Sequence, residues 1–175
     1  DVYGKPIIIH TLELFENHPG IDAIAVACLE DWIPYLQELL EKFNIKKVKK
    51  VVPGGASGQE SIYNGLRAAE EIAAGEKSIV LIHDGVRPLI NEKTITDNIE
   101  SVKKYGSSIT CVKVKETVLV VGEDNSIEDV PNREDTRLAR APQSFYLDEI
   151  IGAHRKAMAE NKYDFIDSCS MMQYY

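Results

Sequence analysis

The chain alternates short apolar runs with longer segments of helical periodicity. Over 6–17 (PIIIHTLELFEN), Ile7, Ile8, Leu12, Leu14 and Phe15 predict an amphipathic helix with proline in its first turn. Residues 22–28 (DAIAVAC) predict a buried strand. Over 31–43, Trp32, Tyr35, Leu36, Leu39, Leu40 and Phe43 recur at helical spacing. A strand over 48–52, a helix over 59–74 and a strand over 78–83 (SIVLIH) follow. The last is continuously apolar, the kind buried on both faces of a parallel sheet. A helix over 92–104 and a strand over 108–114 continue the alternation. Strands separated by helices of this length predict βαβ units, and hence an α/β fold with a mostly parallel sheet.

Near Thr117 the rhythm changes. Residues 117–121 (TVLVV), a turn at Gly122, Glu123, Asp124 and Asn125, and a second short run over 127–130 predict a projecting β-arm over about 115–131. Helical pattern resumes over 147–161. No repeat, low-complexity stretch or linker divides the chain, so a single domain over 1–175 is expected. The chain opens on a helix and closes inside an amphipathic stretch ending Met171, Met172, Gln173, Tyr174 and Tyr175, whereas a buried parallel sheet wants a further strand. A fragment, incomplete at both ends, is the expectation.

A chain of 175 residues can hold a core without disulfides or metal. Hydrophobic residues at 44% and charged residues at 27% exclude a disordered tail, a collagen-like repeat and a disulfide-stapled miniprotein. Twenty Lys and Arg against 28 Asp and Glu leave a net charge of −8. Such a chain lacks the positive field that holds a phosphate backbone, so nucleic acid is not an expected partner, while local arginines can still grip a small anionic substrate. No apolar run approaches the ~20 residues that span a bilayer, and the opening residues lack the form of a signal peptide. Neither a membrane nor a secretory route is expected. Cys28, Cys111 and Cys169 are odd in number and lack metal-ligand spacing, which fits reduced thiols in a cytoplasm.

In an open parallel sheet, ligands bind beyond the carboxyl ends of the strands. Two segments fall there. The first, 52–61 (VPGGASGQES), follows a strand and opens a helix. Its glycines permit close approach of backbone to ligand, and its helix start offers free N–H groups to an anion or a base edge. An ordinary βα turn reads the same way. The second is His83, Asp84, Gly85, Val86, Arg87 and Pro88. There a carboxylate suits a metal or hydroxyl and a guanidinium suits phosphate, unless the two form a structural ion pair. Arg133, Arg137 and Arg140 form a third cluster, for which a solvated face paired with Glu134 and Asp135 is the favoured reading. His10, His18 and His154 sit in helical contexts with no partner at ligand spacing, and no nucleophilic triad can be assigned.

Taken in order, several motifs resemble those of a known family. These are Gly4-Lys5-Pro6-Ile7 leading into a helix; Gly54-Gly55 followed by Gln59-Glu60-Ser61 and Asn64-Gly65-Leu66; His83-Asp84 with Arg87-Pro88; Glu116-Thr117; Arg133; and Pro142-Gln143-Ser144-Phe145. The family is the cytidylyltransferases, in the branch holding 2-C-methyl-D-erythritol 4-phosphate cytidylyltransferase and ribitol-5-phosphate cytidylyltransferase. The resemblance implies a Rossmann-like nucleotidyltransferase fold, a homodimer joined through the arm, and Mg²⁺ as cofactor. It also implies transfer of CMP from CTP to a polyol phosphate with release of pyrophosphate. Gly54, Gly55, Ala56 and Ser61 match positions that hold the cytosine and ribose, and Gly85 joins the nucleotide site. Asp84 and Arg87 match catalytic positions near the reacting phosphates, with Asp84 the candidate Mg²⁺ ligand. Thr117 and Arg133 match positions that bind the acceptor across the dimer.

The chain departs from the pattern at Ala141, at Ile166 beside Asp167, and at Gly58, where Thr, Thr and Arg are usual. The family's Gly-rich triphosphate loop falls ahead of Asp1, and its late lysine lies beyond the matched motifs. Methylerythritol phosphate, for isoprenoid precursors, is the first acceptor expected. Ribitol 5-phosphate, for cell-wall or capsule polymers, is the alternative. A reading of another class is a non-catalytic dimeric module that keeps the fold.

Overall fold

A computed structural model describes residues 1–175. Pro6, with φ of −59°, leads into α1 (Ile7–Glu16), which buries Ile9, Leu12 and Phe15. That face packs with Leu39 of α2 (Ile33–Lys42) and with Ile24, Val26 and Val48 of two paired strands. These strands, β1 (Ile24–Cys28) and β2 (Val48–Pro53), run parallel. A short 3-10 turn precedes α2, which has proline in its first turn. α3 (Gly58–Ala73) begins where the Ser57 hydroxyl accepts the Glu60 N–H, and ends at Ala74 in the left-handed region, followed by Gly75.

β3 (Ile79–Ile82) leads to α4 (Glu92–Tyr105) and β4 (Ser107–Lys113). Asn91 caps the start of α4 and Gly106, with φ of 90°, ends it. The arm contains β5 (Val120–Val121) and β6 (Ile127–Asp129), an antiparallel pair. The chain then returns along β7 (Arg137–Tyr146), enters α5 (Leu147–Ala159), and closes with α6 (Ser168–Tyr174). β7 lies between β3 and β4 and runs antiparallel to both, so those two share a direction without touching.

The α/β architecture stands, and two expectations need correction. No strand was read over Arg137–Tyr146, because Arg137, Arg140 and Pro142 hide the apolar half of β7 and its first residues are exposed. The 78–83 run was expected to be buried on both faces of parallel neighbours. Its strand core instead pairs antiparallel with β7, and every residue of β3 keeps some exposure.

Successive residues of β7 point to opposite faces. Phe145 joins Leu66 of α3 and Leu147, Ile150 and Ile151 of α5 in the largest apolar cluster. Ser144, facing the other way, donates to Asn98 of α4 at 2.9 Å. Each fully buried Ile or Phe contributes about 1.5–3 kcal/mol, so β7 is held from both sides. Ala153, Ala157 and Met171 with Phe165 fasten α6 and the preceding loop onto α5.

Candidate functional site

The βα turn at 53–61 is tightly knit. Gly54 N–H donates to Cys28 O at 2.7 Å. Gly55 N–H donates to the Ser61 hydroxyl at 3.0 Å, and Ala56 N–H to the Glu60 carboxylate at 2.7 Å. Ser61 in turn donates to Ser57 O at 2.9 Å. The expectation of free N–H groups here is corrected at these positions: a ligand must displace Glu60 or Ser61, or use other atoms of the loop. Gly55 has a definite cause, since a Cβ would meet Glu60 Cγ at 2.2 Å. Glycine lets the Glu60 chain fold over the loop.

The 83–88 loop leaves β3 at its carboxyl end. Arg87 donates through Nε to Asp84 Oδ2 at 2.5 Å, the ion pair that the sequence left open as a structural alternative. Both side chains remain about half exposed, at 53% and 56%. Behind them the loop is braced: Thr11 of α1 donates to Gly85 O at 2.8 Å, and His83 Nε2 lies 2.9 Å from Arg87 O. The His83 ring packs on Phe15, with centroids 5.2 Å apart, and its desolvation pushes the imidazole pKa down. Gly85 holds its place through its carbonyl.

Asp84 and Arg87 line one wall of a cavity of about 500 Å³. The start of α3 forms a second wall through Ser57, Gly58 and Gln59, and residues 139–141 with Gln143 of β7 a third. A regular strand would turn alternate residues away from the cavity. β7 does not, because its pairing with β4 shifts between Ile109↔Gln143 and Cys111↔Ala139, and the Ala141–Pro142 bond within the bulge is cis. Such a shift in register re-aims side chains. Arg140 thereby lines the cavity while staying exposed, as the solvated-face reading of the three arginines expects. Arg137 instead donates to its own loop's Glu134 O and Thr136 O, at 2.7 and 2.8 Å.

The fourth wall is the segment 163–168 between α5 and α6. Asp167 receives Ser170 N–H at 2.8 Å and Gln143 Nε2 at 2.8 Å. Desolvation acts to raise its pKa, but its hydrogen bonds to Ser170 and Gln143 outweigh that and hold it below the usual carboxylate range. Ile166 is 97% exposed beside it. His154 closes the interior, 1% exposed, stacked on Tyr63 with centroids 5.7 Å apart and with neither ring nitrogen hydrogen-bonded. Burial pushes its pKa down to about 4, so the ring is neutral at ordinary pH. The sequence had marked the Asp84–Arg87 and 52–61 segments for binding and Ala141 and the Ile166–Asp167 pair as departures from the family pattern, but it gave Gln59 and Gln143 no role outside motifs, and His154 read as ordinary packing.

Arg133 donates to the Thr117 hydroxyl at 3.2 Å, so this pair also comes together. It stands at the root of the arm and is absent from the lining of the cavity of its own chain. No three His, Cys, Asp or Glu side chains cluster as a ready metal cage. Asp84 meets Arg87 through Oδ2, leaving Oδ1 for another partner.

Comparison with known proteins bears directly on this arrangement. The family model described as 2-C-methyl-D-erythritol 4-phosphate cytidylyltransferase matches residues 1–175. A ribitol-5-phosphate cytidylyltransferase of Streptococcus agalactiae is 50% identical over 175 residues, covering 100% of this chain and 72% of that protein. A 2-C-methyl-D-erythritol 4-phosphate cytidylyltransferase of Clostridium botulinum is 38% identical over 161 residues, covering 92% of this chain and 69% of that protein. Among solved structures, the 4-diphosphocytidyl-2C-methyl-D-erythritol synthase of Anaerococcus prevotii superposes with a TM-score of 0.88 at 26% identity, over 99% of this chain and 74% of that one.

Proposed function

Since the chain belongs to the 2-C-methyl-D-erythritol 4-phosphate cytidylyltransferase family, we propose that its reaction takes place at the Asp84–Arg87 end of the cavity. An acceptor phosphate oxygen attacks the α-phosphorus of CTP in line. The new P–O bond forms as the bond to the bridging oxygen breaks, and pyrophosphate leaves. Both reactants are anions, so positioning and charge screening carry the catalysis, and no side-chain nucleophile is required. Arg87, fixed by Asp84, faces the reacting phosphates, and Arg140 adds positive charge from β7. The single observation that carries this reading is the Asp84–Arg87 pair on the cavity wall.

The 54–56 turn and Ser61 take the cytosine and ribose, with Gly85 O and its neighbours behind the triphosphate. Mg²⁺ fits the donor set, because this ion is usually held by one or two carboxylates together with substrate phosphates. Asp84 would hold it, and when bound it supplies screening of phosphate charge. Thr117 and Arg133 take the acceptor phosphate in the partner's cavity within a homodimer. Their absence from the lining of their own chain's cavity and the exposed apolar residues of the arm, Leu119, Val121, Ile127 and Val130, support that arrangement.

Ribitol 5-phosphate is placed first as acceptor, on the 50% identity over the whole chain, and methylerythritol phosphate second, on the family match. The test is pyrophosphate release with CTP and Mg²⁺, each acceptor offered in parallel. Release with ribitol 5-phosphate alone is expected. Release with methylerythritol phosphate alone reverses the order, and silence with both overturns the polyol-phosphate reading.

A further inference from the structure

Two glutamines on opposite walls of the cavity reach the same segment. Gln59, in the first turn of α3, donates through Nε2 to Lys162 O at 3.0 Å and accepts Phe165 N–H through Oε1 at 3.2 Å. Gln143, on β7, donates through Nε2 to Asp167 Oδ2 at 2.8 Å and accepts Cys169 N–H through Oε1 at 2.9 Å. Both are 9% exposed. Each amide spends its donor and its acceptor on one stretch of chain, residues 162–169. This stretch is irregular up to Asp167 and then enters α6, and its own internal support is the capping box of Asp167 with Ser170.

Polar side chains are seldom buried unless every group is matched, and here the matching is two-sided at both positions. The segment so held carries Ile166 and Asp167 into the cavity wall, facing Asp84 and Arg87. Gln59 has a second connection. It stands between Ser57, whose hydroxyl caps α3, and Ser61, whose hydroxyl receives the Gly55 N–H. A displacement of the 54–56 turn would thus bear on Lys162 and Phe165 through the first turn of the helix.

We propose that Gln59 and Gln143 are positioning residues that set residues 163–167 as the acceptor-side wall of the cavity, with Gln59 tying this wall to the nucleotide turn. The proposal rests on the cytidylyltransferase reading of that cavity. Neither glutamine touches the reacting atoms. Gln143 holds the wall from the sheet, so its loss loosens the acceptor site alone. Gln59 bridges both sites, so its loss disturbs both substrates.

Two measurements on the full chain decide this. In pyrophosphate-release kinetics, Gln143→Met is expected to raise the acceptor KM about tenfold, the scale of one to two lost hydrogen bonds, with the CTP KM unchanged within about twofold. Gln59→Met is expected to raise both. In amide hydrogen exchange without substrates, Gln143→Met should speed Cys169 and Gln59→Met should speed Phe165, each by about tenfold, while Ile150 in α5 keeps its rate. Silence of the wild type with both acceptors defeats the catalytic reading, whereas the exchange data still show whether the glutamines hold the segment. The proposal is overturned if Cys169 and Phe165 keep their wild-type exchange. It is equally overturned if they are released while the acceptor KM stays put, or if both variants merely lower stability and move the two KM values together.

Discussion

Arg87 shows how little a residue's charge reveals about its task until its surroundings are known. Its ion pair with Asp84 is half exposed, and such pairs contribute only about 0–1 kcal/mol to stability. Under the proposed reaction, its position on the cavity wall sets the same guanidinium against phosphate. Arg87→Ala should therefore lower turnover by about a hundredfold or more, on the scale of losing one transition-state donor, while the thermal midpoint barely moves. Near-normal turnover in the variant would remove Arg87 from the reaction. His154 makes the opposite case, a titratable group whose visible role is in packing. Unfolded, it takes up a proton below about pH 6.5; folded, it does so only near 4. The unfolded state thus binds more protons in that window, and stability declines as pH falls from 6.5 towards 4, by about 3 kcal/mol in all. His154→Leu removes this contribution. Urea midpoints at pH 7 and pH 5 should converge in the variant relative to wild type, and equal pH slopes in the two would show that His154 is not the cause.

At the scale of elements, the polar contacts across the seam between α4 and the sheet converge on one buried side chain, beside the buried Ile95 and Val102. Asn98, 4% exposed, accepts from Ser144 at 2.9 Å and donates to Thr94 O and the Thr110 hydroxyl, both at 2.9 Å. Asn98→Ala leaves the Ser144 hydroxyl, 0% exposed, without this partner. A loss of about 2–3 kcal/mol in urea unfolding is expected, and a loss below about 0.5 kcal/mol would show that the seam is held by its apolar contacts instead. α1 to α5 and β1 to β4 were legible because each keeps one period: α1 repeats its apolar residues over one face, and β3 is an unbroken IVLI, whereas the seven-residue α6 was read only as an amphipathic stretch. β7 escaped notice for the reason that makes it useful. Its bulge at 140–142 breaks alternation and turns Arg140 into the cavity.

At the scale of the molecule, the arm has too few neighbours to fold against its own chain. Leu119, Val121, Ile127 and Val130 stay 48–61% exposed on a two-stranded ribbon, an apolar surface that a second copy would cover. Val121→Asp combined with Ile127→Asp is expected to yield a monomer by light scattering. Turnover should fall with it, if Thr117 and Arg133 serve the partner's cavity. An unchanged dimer would place the interface elsewhere, and a fully active monomer would free those two residues of that role.

By itself the sequence determined that α and β elements alternate and that an arm interrupts them, and it brought forward Asp84 with Arg87, and Thr117 with Arg133, as candidates for chemistry. Such statements depend on local periodicity and on motif order, both of which are written along the chain. Only the tertiary structure decided that β7 runs antiparallel between β3 and β4, that Arg140 faces the cavity, and that Gln59 and Gln143 meet on one segment. Those contacts join residues up to 106 positions apart, and no local pattern records them. Buried hydrogen-bonding groups are satisfied by whatever the fold brings near, so a glutamine's partners become visible only once its neighbours in space are known.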